Sequence, residues 1–89
     1  MEAWFSKRFA RQVRVTRHAR ARMVERDIDP DLLRDLLETG TATQKDSRRL
    51  WLSKEYSSRD DNLLCAAVVL EEQVVVKTVM HRWELLEET

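Results

Sequence analysis

Hydrophobic and polar positions along the chain follow two periods, one after the other. Gln12–Thr16 alternates, with Val13 and Val15 on one side and Arg14 on the other, which predicts a short strand with one wet face. From Thr16 the spacing becomes helical. Thr16 is a good N-cap for a helix to about Asp27, with Ala19, Met23 and Val24 towards the core. Asp29-Pro30 opens a second helix, Asp as cap and Pro at the first helical position. Leu32, Leu33, Leu36 and Leu37 make its apolar face, Asp31 favours its dipole, Arg34 and Glu38 are spaced as an i,i+4 pair, and Gly40 is expected to end it in the left-handed conformation. Beyond Gly40 the period returns to two. Thr41–Gln44 opens a strand, and Arg48–Tyr56, Leu63–Glu71 and Val74–Trp83 are expected to follow as an antiparallel meander with short connections. Strict alternation in the last strand puts Val74, Val76, Thr78 and Met80 on one face, and Val75, Lys77, Val79, His81 and Trp83 on the other.

The predicted fold class is therefore α+β: a short N-terminal strand, two helices, then a meander of three to four antiparallel strands with the helices packed on one face. With 89 residues there is room for one domain. The expected organisation is an aromatic and basic arm or short helix over 1–12, one domain over 13–84 and an acidic tail over 85–89. No apolar stretch reaches the roughly 20 residues a membrane helix needs, and the N-terminus lacks the apolar run of a secretory signal. The single Cys65 excludes an intramolecular disulfide and a multi-cysteine zinc site, and lies in an apolar run where a small buried side chain fits. A cytoplasmic protein without cofactor or membrane association is expected.

Net charge is zero, but it is unevenly distributed. Residues 1–26 hold eight basic and two acidic residues, a local charge of +6, and the rest of the chain balances it at −6. A basic half suits a polyanionic partner; the competing explanation is that the two halves neutralise each other. The cations of the first helix are all arginines, whose planar forks suit phosphates and stack on bases. Arg14, Arg17, Arg20, Arg26 and Lys77 are the candidate nucleic-acid contacts. Trp51, Tyr56 and Trp83 are candidate stacking platforms, with core filling as the alternative for each.

Chemistry has few carriers in this chain. His18 and His81 are its two histidines. Brought together, they could divide the base and acid roles of RNA 2′-OH transesterification, with Arg22 holding the phosphate one helical turn from His18. There is no glycine-rich phosphate loop, no diagnostic metal spacing and no nucleophilic serine motif.

The stretch His18-Ala19-Arg20-Ala21-Arg22-Met23-Val24-Glu25-Arg26-Asp27-Ile28 fits the pattern H-A-x-x-R-M-x-x-R-x-I. It resembles the opening of a bacterial family known only as domain of unknown function number 4258, in which a second helix and a meander with a valine-rich last strand follow. Val74-Val75-Val76-Lys77-Thr78-Val79 matches that strand, so the resemblance spans about residues 13–83. More distantly the family is similar to RelE-like toxins, including the BrnT type. That resemblance implies a small endoribonuclease neutralised by an antitoxin protein, with His18, Arg22 and Arg26 at the motif positions. Three functions stand at this stage: a toxin-like ribonuclease acting on RNA, a nucleic-acid-binding module without chemistry, and a protein-interaction or structural domain forming a homodimer.

Overall fold

The second helix is fixed as its residues predict. In the computed structural model, which describes residues 4–84, the Asp29 side chain accepts the Leu32 N–H at 2.8 Å and Pro30 occupies the first turn. The full order is β1 (Trp4–Ser6), β2 (Arg11–Val15), α1 (Arg17–Glu25), α2 (Pro30–Thr39), β3 (Thr41–Gln44), β4 (Arg49–Lys54), β5 (Leu64–Leu70) and β6 (Val74–Met80). Leu33, Leu36 and Leu37 of α2 are fully buried. None of the described helices is long and apolar enough to cross a membrane.

The α+β class and the pair of helices agree with the pattern, whereas the sheet is larger than expected. Six strands lie in the order β1-β2-β6-β5-β4-β3. Strands β3 to β6 do form the antiparallel meander, with Leu50 opposite Val68 and Leu52 opposite Ala66 between β4 and β5. The closing strand β6 then lies parallel to β2, Val13 opposite Val74 and Val15 opposite Val76, so the sheet is mixed. Alternation within single segments carries no information about which distant strand becomes a neighbour. The segment expected as an arm or short helix is strand β1, antiparallel to β2 with Trp4 opposite Val13, followed by a turn. The acidic tail 85–89 lies outside the described residues.

Both helices feed one apolar core. It joins Ala19, Met23, Ile28 and the α2 leucines to Val13, Val15, Val74, Val76 and Val79, and to Leu50, Leu52, Leu64, Ala66 and Val68. Val79 departs from the alternation predicted for β6. Ala67 pairs with Thr78 and Val68 with Val76, which leaves Lys77 as an extra residue without a partner on β5. This bulge shifts the phase by one and returns Val79 to the helix side. Val24 corrects the reading of α1: it is 83% exposed, while Ala19 and Met23 alone of that helix are buried.

Two further expectations fail at the end of α2, each through a contact with another part of the chain. Gly40 has φ −68°, an extended rather than a left-handed backbone. Its lack of a side chain serves close packing, since a Cβ there would stand 2.5 Å from the Leu36 carbonyl oxygen and 3.1 Å from that of Ser53. Glu38 does not pair with Arg34. Its carboxylate accepts the hydroxyl of the fully buried Ser6 at 2.5 Å and the backbone N–H groups of Lys7 and Arg8 at 2.8 and 3.3 Å, and Arg34 lies over the Trp4 ring instead. Arg8 also donates to the carbonyls of Leu37 and Gly40, at 3.3 and 2.6 Å. The β1–β2 hairpin is thus bolted onto the end of α2. Three donors already fixed beside the Glu38 carboxylate hold it better than an exposed arginine, whose pairing gains little in water.

Candidate functional site

Helix α1 has little apolar surface, and polar ties fix both its ends. At the start Thr16 accepts the Ala19 N–H at 3.1 Å, donates its own hydroxyl to the Lys77 carbonyl at 3.2 Å, and donates its backbone N–H to the Val76 carbonyl at 3.2 Å. At the end the Ile28 N–H reaches back to the Met23 carbonyl at 2.8 Å and the Asp27 N–H to that of Val24 at 3.3 Å. Asp27 adopts the left-handed backbone this ending requires, φ 54°. The last carbonyls, of Arg26 and Asp27, accept from the Arg59 guanidinium at 2.6 and 2.7 Å. A cation at a helix C-terminus is also favoured by the dipole.

The same guanidinium builds a site beyond the helix end. Nε and Nη2 of Arg59 grip the two Asp61 carboxylate oxygens, each at 2.8 Å. Asp61 Oδ2 in turn lies 3.1 Å from His81 Nδ1. The Arg59 bonds, and secondly the imidazole, hold the Asp61 carboxyl well below the usual carboxylate range, so it is ionised at neutral pH. An ionised carboxylate is an acceptor for an Nδ1–H, and in a neutral imidazole so held Nε2 carries the lone pair. The loop is itself braced: Asn62 accepts the Tyr56 N–H at 2.9 Å and donates to the carbonyls of Tyr56 and Arg59 at 2.7 and 2.9 Å. A polar cleft of about 390 Å³ results, lined among others by Glu25, Arg26, Arg59, Asp61, His81 and Arg82. Nε and Nη1 of Arg26 are shielded from solvent and make no hydrogen bond, and Glu25 stands 3.5 Å from Nη1. Arg26 is therefore ion-paired with Glu25 but keeps unused hydrogen-bond donors, and the cleft lining mixes Arg26, Arg59 and Arg82 with Glu25, Asp27, Asp60 and Asp61.

The residues singled out from the sequence fall into three places. Arg26 and His81 meet in this cleft. His18, Arg17 and Arg20 are exposed on α1, and Arg22 is half-buried and paired with Glu25 at 2.5 Å. His18 lies in the first turn and the His81 cleft at the last, about 12 Å further along the axis. His18, Arg22 and Lys77 are not among the residues lining it. Arg14, opposite Val75, and Lys77 lie on the sheet face that carries no helix. The sequence does not single out Arg59 and Asp61, because Ser57–Asn62 reads as a plain polar turn, nor Arg82, which falls in the strand expected over Val74–Trp83 although β6 ends at Met80. The one local signal was an arginine and an aspartate two residues apart, a spacing common in turns. Among the described residues no group of three or more histidine, cysteine or acidic side chains is placed to hold a metal.

The elements around this cleft run from α1 to the end of β6, and the same stretch decides the family. The model of Domain of unknown function (DUF4258) matches residues 15–81. The chain belongs to this family. The match takes in both helices, β3 to β6, and His18, Arg22, Arg26, Arg59, Asp61 and His81, while β1 precedes it and Arg82 and Trp83 follow it. No curated protein and no solved structure matches the chain significantly.

Proposed function

We propose that the protein acts on RNA as a small endoribonuclease, with the Asp61–His81 cleft as its reaction site. The observation that carries this reading is the Asp61–His81 contact: a carboxylate fixed by Arg59 orients an imidazole whose other nitrogen is available for proton transfer. In such a cleft Nε2 of His81 accepts the proton of a ribose 2′-OH. The 2′ oxygen bonds to the adjacent phosphorus, the P–O5′ bond breaks, and the departing 5′ oxygen takes a proton from solvent. Arg26 and Arg82 supply the positive charge that holds the phosphate and stabilises its extra negative charge. The distant resemblance of the family to RelE-like toxins points to the same substrate.

Cleavage of single-stranded RNA in the presence of a metal chelator, read on denaturing gels, is the test. Wild type is expected to leave 2′,3′-cyclic phosphate ends, and His81→Asn to lose about 10²–10⁴-fold in rate. His18→Ala should cleave normally, because its helix turn lies outside the cleft. Undiminished cleavage by His81→Asn would remove the reading. A non-catalytic variant of it is favoured by Arg17 and Arg20, which are exposed and make no ion pair among the described residues. Salt-dependent RNA binding without product, weakened by Arg17→Gln and Arg20→Gln together, would identify that case.

A further inference from the structure

The helix-free face of the sheet gathers aromatic and cationic side chains from β4, β6 and the segments that follow β3 and β6. Trp51 and Trp83 stand with ring centroids 6.1 Å apart and planes tilted by 43°. Lys45 Nζ lies 5.6 Å from the Trp51 centroid. Beside Trp51 opens a hollow of about 190 Å³, lined by Ala67 and Val69 and by the cations Lys45, Arg49 and Lys77. No carboxylate lines it. Arg49 is held in place by Asp46 at 2.6 Å, and Asp46 stays ionised because the Arg48 and Arg49 N–H groups and the Arg49 side chain hold its carboxyl far below the usual range. Lys45 and Lys77 have no ion pair among the described residues. Lys77 alternates away from the core-facing Val76, and the bulge leaves it without a β5 partner. Tyr56, the third aromatic expected to stack, is taken up elsewhere, donating its hydroxyl to Asp35 at 2.6 Å.

We propose that this face binds a nucleotide of single-stranded RNA, its base against Trp51 and its phosphates on Lys45 and Lys77. The inference rests on the RNA reading above and specifies the form of the substrate. An aromatic wall, an apolar floor and a rim of cations without acids are complementary to a planar ring carrying a phosphate. A duplex keeps its ring faces stacked inside, so it has none to offer a single shallow hollow. Trp83, next but one to His81 in the chain, puts this face and the cleft on the same short segment.

The test uses the full chain and fluorescein-labelled RNA of about ten nucleotides, within the span one small domain covers. Anisotropy and tryptophan quenching are followed for oligo-uridine, oligo-adenosine and a duplex of equal length. The single strands should bind and quench, and the duplex should bind at least about tenfold more weakly. Trp51→Leu should weaken single-strand binding by about 5- to 100-fold, the range of one lost stacking contact. Lys77→Gln, at an exposed position that folding does not depend on, should weaken it and reduce the salt slope by about 0.7. Circular dichroism checks the fold of both. Wild-type affinity in both variants overturns this site while leaving cleavage at His81 intact. Equal binding of the duplex overturns the single-strand assignment. Binding without cleavage supports this face and removes the catalytic reading, and failure of wild type both to bind and to cleave ends both. A dimer in sedimentation that Trp51→Leu dissociates gives the face to a second copy of the chain and overturns the proposal.

Discussion

Helices α1 and α2 lie on the same side of one sheet and are held there by different physics. Helix α2 is placed by burial: Leu33, Leu36 and Leu37 are inaccessible, and Leu32 packs against the same core. Helix α1 buries only Ala19 and Met23 and is placed by hydrogen bonds at its two ends, Thr16 to β6 and Arg59 to the last carbonyls. The lesson concerns cost. A helix pinned by its ends leaves its flanks free to carry arginines, and its pins become part of whatever site is built there. Arg59 is such a pin, closing α1 and fixing Asp61 with the same planar group.

The contrast can be broken from either side. Leu36→Ala should have the largest effect, a loss of about 2–5 kcal/mol in chemical denaturation, because a fully buried leucine loses its transfer energy and leaves a cavity as well. Arg59→Gln should cost about 1.5–3 kcal/mol, the range for hydrogen bonds to a charged group. Hydrogen exchange should then rise at Asp27 and Ile28 and leave α2 protected. Arg59→Lys keeps the charge without the fork and should fall between the two. The pH dependence has a definite sign. The Asp61 carboxyl is depressed in the fold, so its contribution is complete above the ordinary carboxylate pKa of about 3.9 and fades as pH falls below that towards the folded value. The stability gap between wild type and Arg59→Gln should therefore be constant near neutral pH and shrink progressively as pH falls below about 4. A gap that stays constant with pH would show that Asp61 is not the linked group.

Smaller effects sharpen the same comparison. Gly40→Ala should cost about 1–3 kcal/mol, because the new Cβ meets two backbone carbonyls that cannot turn aside. Were Gly40 a left-handed cap, asparagine would rescue it; here Gly40→Asn should be no better than alanine. Val24→Lys should change stability by no more than about 0.5 kcal/mol, against several for Met23→Ala next to it. A large loss at Val24 would mean that α1 is rotated from the position described.

Much of the secondary structure was legible because it depends on neighbours in the chain. The caps at Thr16 and Asp29, the leucine face of α2 and the alternation of β4 act over a few residues, and all appear where the pattern puts them. Val24 was misplaced because helical spacing leaves a two-residue apolar step ambiguous, and only the actual contact decides which side is covered. Of the residues lining the candidate site, Arg26 and His81 were legible, one from the helix motif and one as a histidine at the end of a strand. The sequence concealed Arg59 and Asp61, which look like any charged turn until the turn is folded under a helix.

What the sequence by itself determined is the family, the α+β class, the helix starts and the strands of the meander, since each rests on a motif or on a period of 3.6 or 2. Only the tertiary structure decided that β6 runs parallel to β2, that a bulge at Lys77 reverses the phase of its strand, and that Glu38 serves the first hairpin. It also separated His18 from His81 and placed Asp61 beside the latter. All but the bulge, which forms within one hairpin, are contacts across twenty or more residues, such as Asp61 with His81. They are selected by how surfaces fit once the core has closed, and no short stretch of chain encodes them.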